Sequence, residues 1–251
     1  MPSTIAWIDH DSKARERTLR ILSLFQAKES RDELGLGSVR DSFADQLFPG
    51  TSTIQTRLRY MLFVPWMYQY LEEKRLPADK FAYQADKLER ELVRPLMDSD
   101  DNAGVFGKTA GKQLKRLPSS VYWSGLGVWG IRLASFSQAE YHMRIGEIYR
   151  RRDALKKLEN DAIVRGDDID IEQRVASFSW HPQLPLPPEK FPLEANFALS
   201  CEEAEFIRDR ILVNCPNSLL SHLMLHCKPA DTQTPWEHPE FCNFSNQHKS
   251  S

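Results

Sequence analysis

The sequence predicts a mainly α-helical protein, an irregular multi-helix bundle with few or no strands. Three observations predict it. Apolar residues recur at three-to-four spacing over long stretches, helix-start signatures precede several of them, and alternating strand-like runs are scarce. The composition supports a packed core, with 41% hydrophobic, 10% aromatic and 27% charged residues.

Taken in order, residues 11–27 place Ile21, Leu22 and Phe25 on one side of a helix. Ser38 and Asp41 frame a second helix start. Residues 53–74 are apolar nearly all round, which predicts the central helix of the core, with a kink at Pro65 where a hydrogen bond is lost. Residues 78–96 carry the clearest stripe: Phe81, Ala85, Leu88, Leu92 and Leu96. Lys87, Glu89, Arg90, Glu91 and Arg94 are expected on the watered face.

Residues 137–158 form another helix, with Tyr141, Ile145, Ile148, Leu155 and Leu158 inward and Ser137 and Glu140 as a capping box. Ser200 and Glu203 repeat that box before a helix over 200–213, and 217–227 reads as a further helix. Only 4–8 and 175–180 resemble strands. Between 182 and 192 there are five prolines, which cannot continue a helix and favour extended chain. The expected organisation is a helical main domain over 1–176, a proline-rich linker over 177–199, and a short C-terminal piece over 200–251 that docks on the first or is incomplete.

Bulk properties exclude some classes. The net charge of −2 gives no global pull toward nucleic acid or acidic membranes. Residues 60–68 form the longest apolar run, well short of the ~20 residues that cross a bilayer. The first eleven residues lack the basic and apolar regions of a signal peptide. With all four cysteines beyond residue 200 and no export signal, free thiols in the cytoplasm are expected.

Two glycine motifs lack their context. Residues 102–109 resemble a phosphate loop with Asn102 in the first glycine's place, but Asp98, Asp100 and Asp101 precede them and would repel phosphate. Gly125, Gly127 and Gly130 match a dinucleotide fingerprint without the strand that should feed it, so close backbone packing is the expected use. Asp9, His10 and Asp11 put two carboxylates beside an imidazole, yet chain neighbours rarely converge on one substrate. No catalytic residue emerges, and a non-enzymatic role without a cofactor is expected.

The most suggestive stretch is electrostatic. No acidic residue occurs from 102 to 139, whereas Lys108, Lys112, Lys115, Arg116 and Arg132 are basic. Phe106, Tyr122, Trp123, Trp129 and Phe136 are interleaved. A short helix over 109–116, a turn at Leu117 and Pro118, and a following helix would make a helix-turn-helix-like element near 109–132. Arg150, Arg151 and Arg152, followed by Lys156 and Lys157, add a second cluster. Two readings stay open: phosphate contact, or core aromatics with lysines that only solvate a helix face. Cys215, His222, His226, Cys227, His238 and Cys242 supply enough donors for zinc. The leucine-rich surroundings of the two histidines favour core, and no Cys-x-x-Cys knuckle is present.

The segments 29–41, 48–60, 64–66, 107–112 and 121–132 resemble a bacterial family catalogued only as a domain of unknown function. The resemblance runs from residue 1 to about 240. It implies a role in phage-defence or DNA-metabolism neighbourhoods that also hold helicases, nucleases and methyltransferases, and it supplies no catalytic residue. Members of that family continue with further helix, so a C-terminally truncated member is expected. The leading expectation is a non-enzymatic component that contacts nucleic acid or a helicase- or nuclease-type partner. The alternatives are a protein-binding scaffold and, third, a metal-dependent hydrolase or nuclease.

Overall fold

The computed structural model describes residues 36–108, 111, 114–165, 178–226, 237 and 239. The chain divides into two compact units, Met1–Asp45 and Gln46–Ser251. Helix α1 (Leu36–Leu47) covers the described part of the first. Ser38, expected as a helix start, therefore lies inside α1. The expected helix over 11–27 and the strand-like run 4–8 fall outside the described residues.

The second unit contains α2 (Tyr60–Glu73), α3 (Ala78–Glu91), α4 (Val93–Asp98), α5 (Pro118–Val128), α6 (Gln138–Met143), α7 (Ile145–Arg165), α8 (Cys201–Asn214) and α9 (Leu219–His226). Helix α2 is the centre. Every residue from Tyr60 to Tyr68 is buried, and Tyr68 alone meets the rings of Phe81, Trp123, Tyr141 and Trp180. The helix starts later than the apolar pattern suggests because tertiary bonds take over upstream. The Tyr122 hydroxyl accepts from the amides of Thr56 and Arg57, at 2.9 and 3.0 Å, and donates to the Arg57 carbonyl. A buried hydroxyl with three partners replaces one turn of helix.

Two expected helices are each broken once. Residues 78–96 divide at Leu92 into α3 and α4, where Pro95 has no N–H to offer the carbonyl of residue 91. Residues 137–158 divide at Arg144, whose carbonyl takes the amides of both Glu147 and Ile148. The apolar stripes survive both breaks, except that Leu158 is exposed. The capping boxes at Ser137/Glu140 and Ser200/Glu203 are both formed.

Among the described residues there is no strand. The end of the 175–180 candidate makes one antiparallel bridge, Arg132 to Trp180. Of the expected helix over 109–116, residues 111 and 114–116 form a turn and a loop, and the others lie outside the described residues. Helix α5 follows as expected, but seven of its eleven residues are buried, so it is a core helix. No described helix is long and apolar enough to cross a membrane.

The proline-rich segment packs closely. The Trp66 indole donates to the Pro185 carbonyl at 2.7 Å, and Phe191 stacks on Phe63 with centroids 5.5 Å apart. Helices α8 and α9 add Phe206, Ile207, Ile211 and Leu220 to the same core. Arg59, the residue before α2, forms a buried ion pair with Glu203 of α8 at 2.6 Å.

The glycines of the fingerprint-like run serve packing. A Cβ on Gly125 would overlap the Gly50 carbonyl oxygen and come within 2.8 Å of the Met61 methyl; on Gly130, φ +64°, it would meet the Asn214 side chain. Gly125→Ala is expected to cost about 1–3 kcal/mol through overpacking against backbone, read as a lower denaturant midpoint. An unchanged midpoint would show that the α5 contact with residue 50 yields freely.

Candidate functional site

The expected basic residues fall into three groups. Lys115 and Arg116 are exposed, as are Arg150 and Arg151 on α7. Lys108 is exposed and donates to Asn102 Oδ1 at 2.8 Å. Lys112 lies outside the described residues. Arg132 and Arg152 turn inward. The Arg132 guanidinium sits 5.0 Å over the Trp123 ring and donates to the carbonyls of Trp123, Ala134 and Phe136. It clamps the chain reversal after α5, and burial pushes its pKa down. Arg152 pairs with buried Glu72, which also accepts from the Tyr141 hydroxyl and the Trp180 indole. Tyr122, Trp123 and Trp129 are core, and Phe106 and Phe136 pack against it. These aromatics are not laid out for stacking on bases.

The loop that carries Lys115 and Arg116 borders a groove of about 620 Å³. Tyr83, Lys87, Arg90 and Arg94 line one wall together with the carboxylates Asp86 and Glu91, and Gly111 and Leu114 form the other. Arg90 joins them, donating to the Leu114 carbonyl at 3.2 Å and to Asp86 at 2.7 Å. Sequence reasoning missed this juxtaposition, because Arg90 and Leu114, 24 residues apart, meet only through the fold.

A second feature is a small pocket of about 260 Å³ lined from α2, α3, Leu117 and α6. Glu89, expected in water, is almost completely buried. It lies four residues after Ala85 and three before Leu92, which places it on the apolar stripe; that spacing was the missed signal. Its carboxylate accepts from the Ser119 amide at 2.8 Å and the Ser119 hydroxyl at 2.6 Å. Helix α5 has no cap from its own chain neighbourhood, so Glu89 caps it from another helix. Burial pushes the Glu89 carboxyl up to about 7, against weaker lowering by the Ser119 bonds and Arg90.

The bonds continue outward. Gln138 Nε2 donates to Ser119 Oγ at 2.7 Å and to the Tyr68 hydroxyl at 2.9 Å. The Tyr68 hydroxyl lies 3.0 Å from His142 Nε2. Burial also lowers the pKa of His142, consistent with a neutral ring.

The zinc candidates do not assemble among the described residues. Cys215 is buried at the end of α8, and the rings of His222 and His226 stand 4.7 Å apart on α9. Cys227, His238 and Cys242 lie outside the described residues, as do Asp9, His10 and Asp11. Among the described residues, no group of three or more His, Cys, Asp or Glu side chains is placed to hold a metal ion.

The sequence pattern of a family described as a family of unknown function, DUF6361, matches residues 2–247. Neither a curated protein nor a solved structure matches the chain.

Proposed function

We propose, for a chain that belongs to the DUF6361 family of unknown function, that it is a non-enzymatic component that contacts nucleic acid in a defence or DNA-metabolism assembly. The observation that carries this reading is the groove lined by α3, the start of α4, Gly111 and Leu114, with Lys115 and Arg116 exposed directly after Leu114 in the chain. Lys87 and Arg94 add cations, and Tyr83 offers an exposed aromatic face. A single strand, with bases on Tyr83 and phosphates on the cations, suits such a surface. Lys87–Glu91 at 3.8 Å and Arg94–Asp98 at 3.9 Å are exposed helix pairs. Such pairs contribute little, so either cation exchanges readily to a phosphate. The defence setting rests on the family resemblance alone.

The test is a binding titration of single-stranded and duplex DNA across a salt series. The charge reversal Lys115→Glu with Arg116→Glu is expected to weaken binding roughly 10- to 100-fold and to flatten the salt slope by about one per lost phosphate contact. Absence of salt-dependent binding to either form would remove the proposal.

A protein-binding scaffold is the second reading, favoured by a different cleft. About 780 Å³ in volume, it is lined by Asp98, Asp100, Asp101 and Glu194 beside exposed Leu193. That surface repels phosphate and suits a basic, partly apolar protein segment. Under this reading the same charge reversal leaves partner binding intact.

A further inference from the structure

We propose that the acidic cleft takes α7 of a second copy of this chain, so that copies join head to tail. The proposal rests on the reading of that cleft as a protein-binding surface and names its occupant. It uses neither Lys115 nor Arg116 and so stands apart from the nucleic-acid reading.

On α7, Arg150, Arg151, Ala154, Lys157 and Leu158 are all exposed. Their spacing gathers them on about one third of the helix circumference. Arg151 and Lys157 make no ion pair among the described residues, since nearby Asp153 is held by Arg75 at 2.6 Å. Leu158 is 54% exposed, although its spacing belongs to the inward stripe. Among the described residues this face carries one carboxylate, half-buried Glu147, at its start. A stripe of cations ending in an exposed leucine is complemented by carboxylates beside apolar groups.

The cleft has that composition. Asp98, Asp100 and Glu194 stand around Leu193, which is 80% exposed, and Pro95 and Phe197 add apolar wall. Asp100 makes no ion pair among the described residues. Asp98 reaches Arg94 only at 3.9 Å, and Glu194 meets Lys190 in a second exposed pair. Such pairs contribute little, so either carboxylate exchanges readily to an incoming cation. Asp101 is held by Arg57 and is left out of the contact. Nucleic acid is repelled by this surface, whereas α7 brings cations and a leucine on one rigid element. A copy docked in this way leaves one cleft and one α7 open at the two ends. The contact is therefore heterologous and repeats until rotation closes a ring.

The decisive experiment is sedimentation velocity on the full chain over a concentration series at low and at high salt. Self-association is expected with a Kd on the order of 10 µM at low salt, at least about tenfold weaker at high salt. Two charge-reversed chains are then compared: Asp98→Lys with Asp100→Lys, and Arg151→Glu with Lys157→Glu. All four positions are exposed, so unchanged thermal midpoints are expected. Each variant alone is expected to stay monomeric. Their equimolar mixture is expected to associate, because the first keeps its α7 and the second its cleft. A parent chain still monomeric at about 100 µM, a variant that associates like the parent, or a mixture that stays monomeric would each overturn the proposal. A fluorescent peptide of residues 145–158 and a scrambled peptide of the same composition separate this inference from the reading beneath it. Equal binding of both to a chain that does not self-associate would keep the cleft as a protein-binding surface and overturn its occupation by a second copy. Loss of DNA affinity in the Arg151→Glu, Lys157→Glu chain, with a monomeric parent, would assign the α7 stripe to nucleic acid and overturn the proposal as well.

Discussion

Glu203→Ala is expected to destabilise the folded chain by about 3–5 kcal/mol, read as a fall in denaturant midpoint at pH 7. Two separate losses combine. The Arg59 guanidinium is left buried without its partner, and arginine does not shed its charge to relieve that burial. Its other acceptors, the carbonyl and side-chain oxygen of Asn196 at 2.8 Å each, remain but carry no full charge. The second loss is local, because Glu203 Oε2 accepts from the Ser200 amide in the capping box of α8.

Glu203→Gln separates the two losses. It keeps nearly the same volume and one oxygen for the Ser200 amide, so the capping bond survives while Arg59 loses both the charge and its acceptor and meets an NH2 donor instead. Replacing Arg59 with methionine and Glu203 with leucine together is expected to recover most of the lost stability, since a buried pair is often no better than packed apolar groups. A drop below about 1 kcal/mol for Glu203→Ala would mean that α8 is not held to α2 by this pair.

Much of the fold was legible because local rules and tertiary packing agree. Both capping boxes form where Ser137 and Ser200 stand three residues before a glutamate. The stripe of Phe81, Ala85, Leu92 and Leu96 is buried as its spacing predicts. Helix ends were less legible, because they depend on distant partners. The Tyr122 hydroxyl that satisfies Thr56 and Arg57 lies 66 and 65 residues away along the chain. Nothing in residues 53–59 announces it.

The candidate site was less legible still. Charge counting along the chain treated Arg132 and Arg152 like Lys115 and Arg116, although the first two satisfy internal acceptors and the others face water. What separates them is whether a carbonyl or carboxylate is brought within reach by folding. Glu72 and Glu89 show the converse. Both are carboxylates inside apolar helical surfaces, and each is used by a neighbouring element: Glu72 by Arg152, Tyr141 and Trp180, Glu89 by the start of α5. A charged residue in register with an apolar stripe is therefore the better pointer to a site than a run of like charges.

That argument has a thermodynamic consequence at Glu89. Its carboxyl titrates at about 7 in the folded chain against an ordinary value of 4.5, chiefly because burial disfavours the charged form. The folded state thus holds this proton more tightly than the unfolded state. The stability Glu89 provides is fully present below the unfolded value and is lost as pH rises through the folded one. Between these limits the loss amounts to roughly 3 kcal/mol.

Glu89→Gln keeps the shape and cannot ionise. It should match the parent chain near pH 4.5 and become the more stable of the two by roughly 3 kcal/mol at pH 8. Tyr68, Tyr60, Asp86, Arg90 and His142, the other titratable groups around this carboxyl, are present in both chains and largely cancel in the difference. Chemical denaturation of both chains across that range measures the effect. A difference that stays flat with pH would mean that Glu89 is ionised throughout. One of opposite slope would mean that the folded state favours the ionised carboxylate. Either result contradicts a carboxyl that burial holds protonated against the weaker pull of Arg90 and the Ser119 bonds.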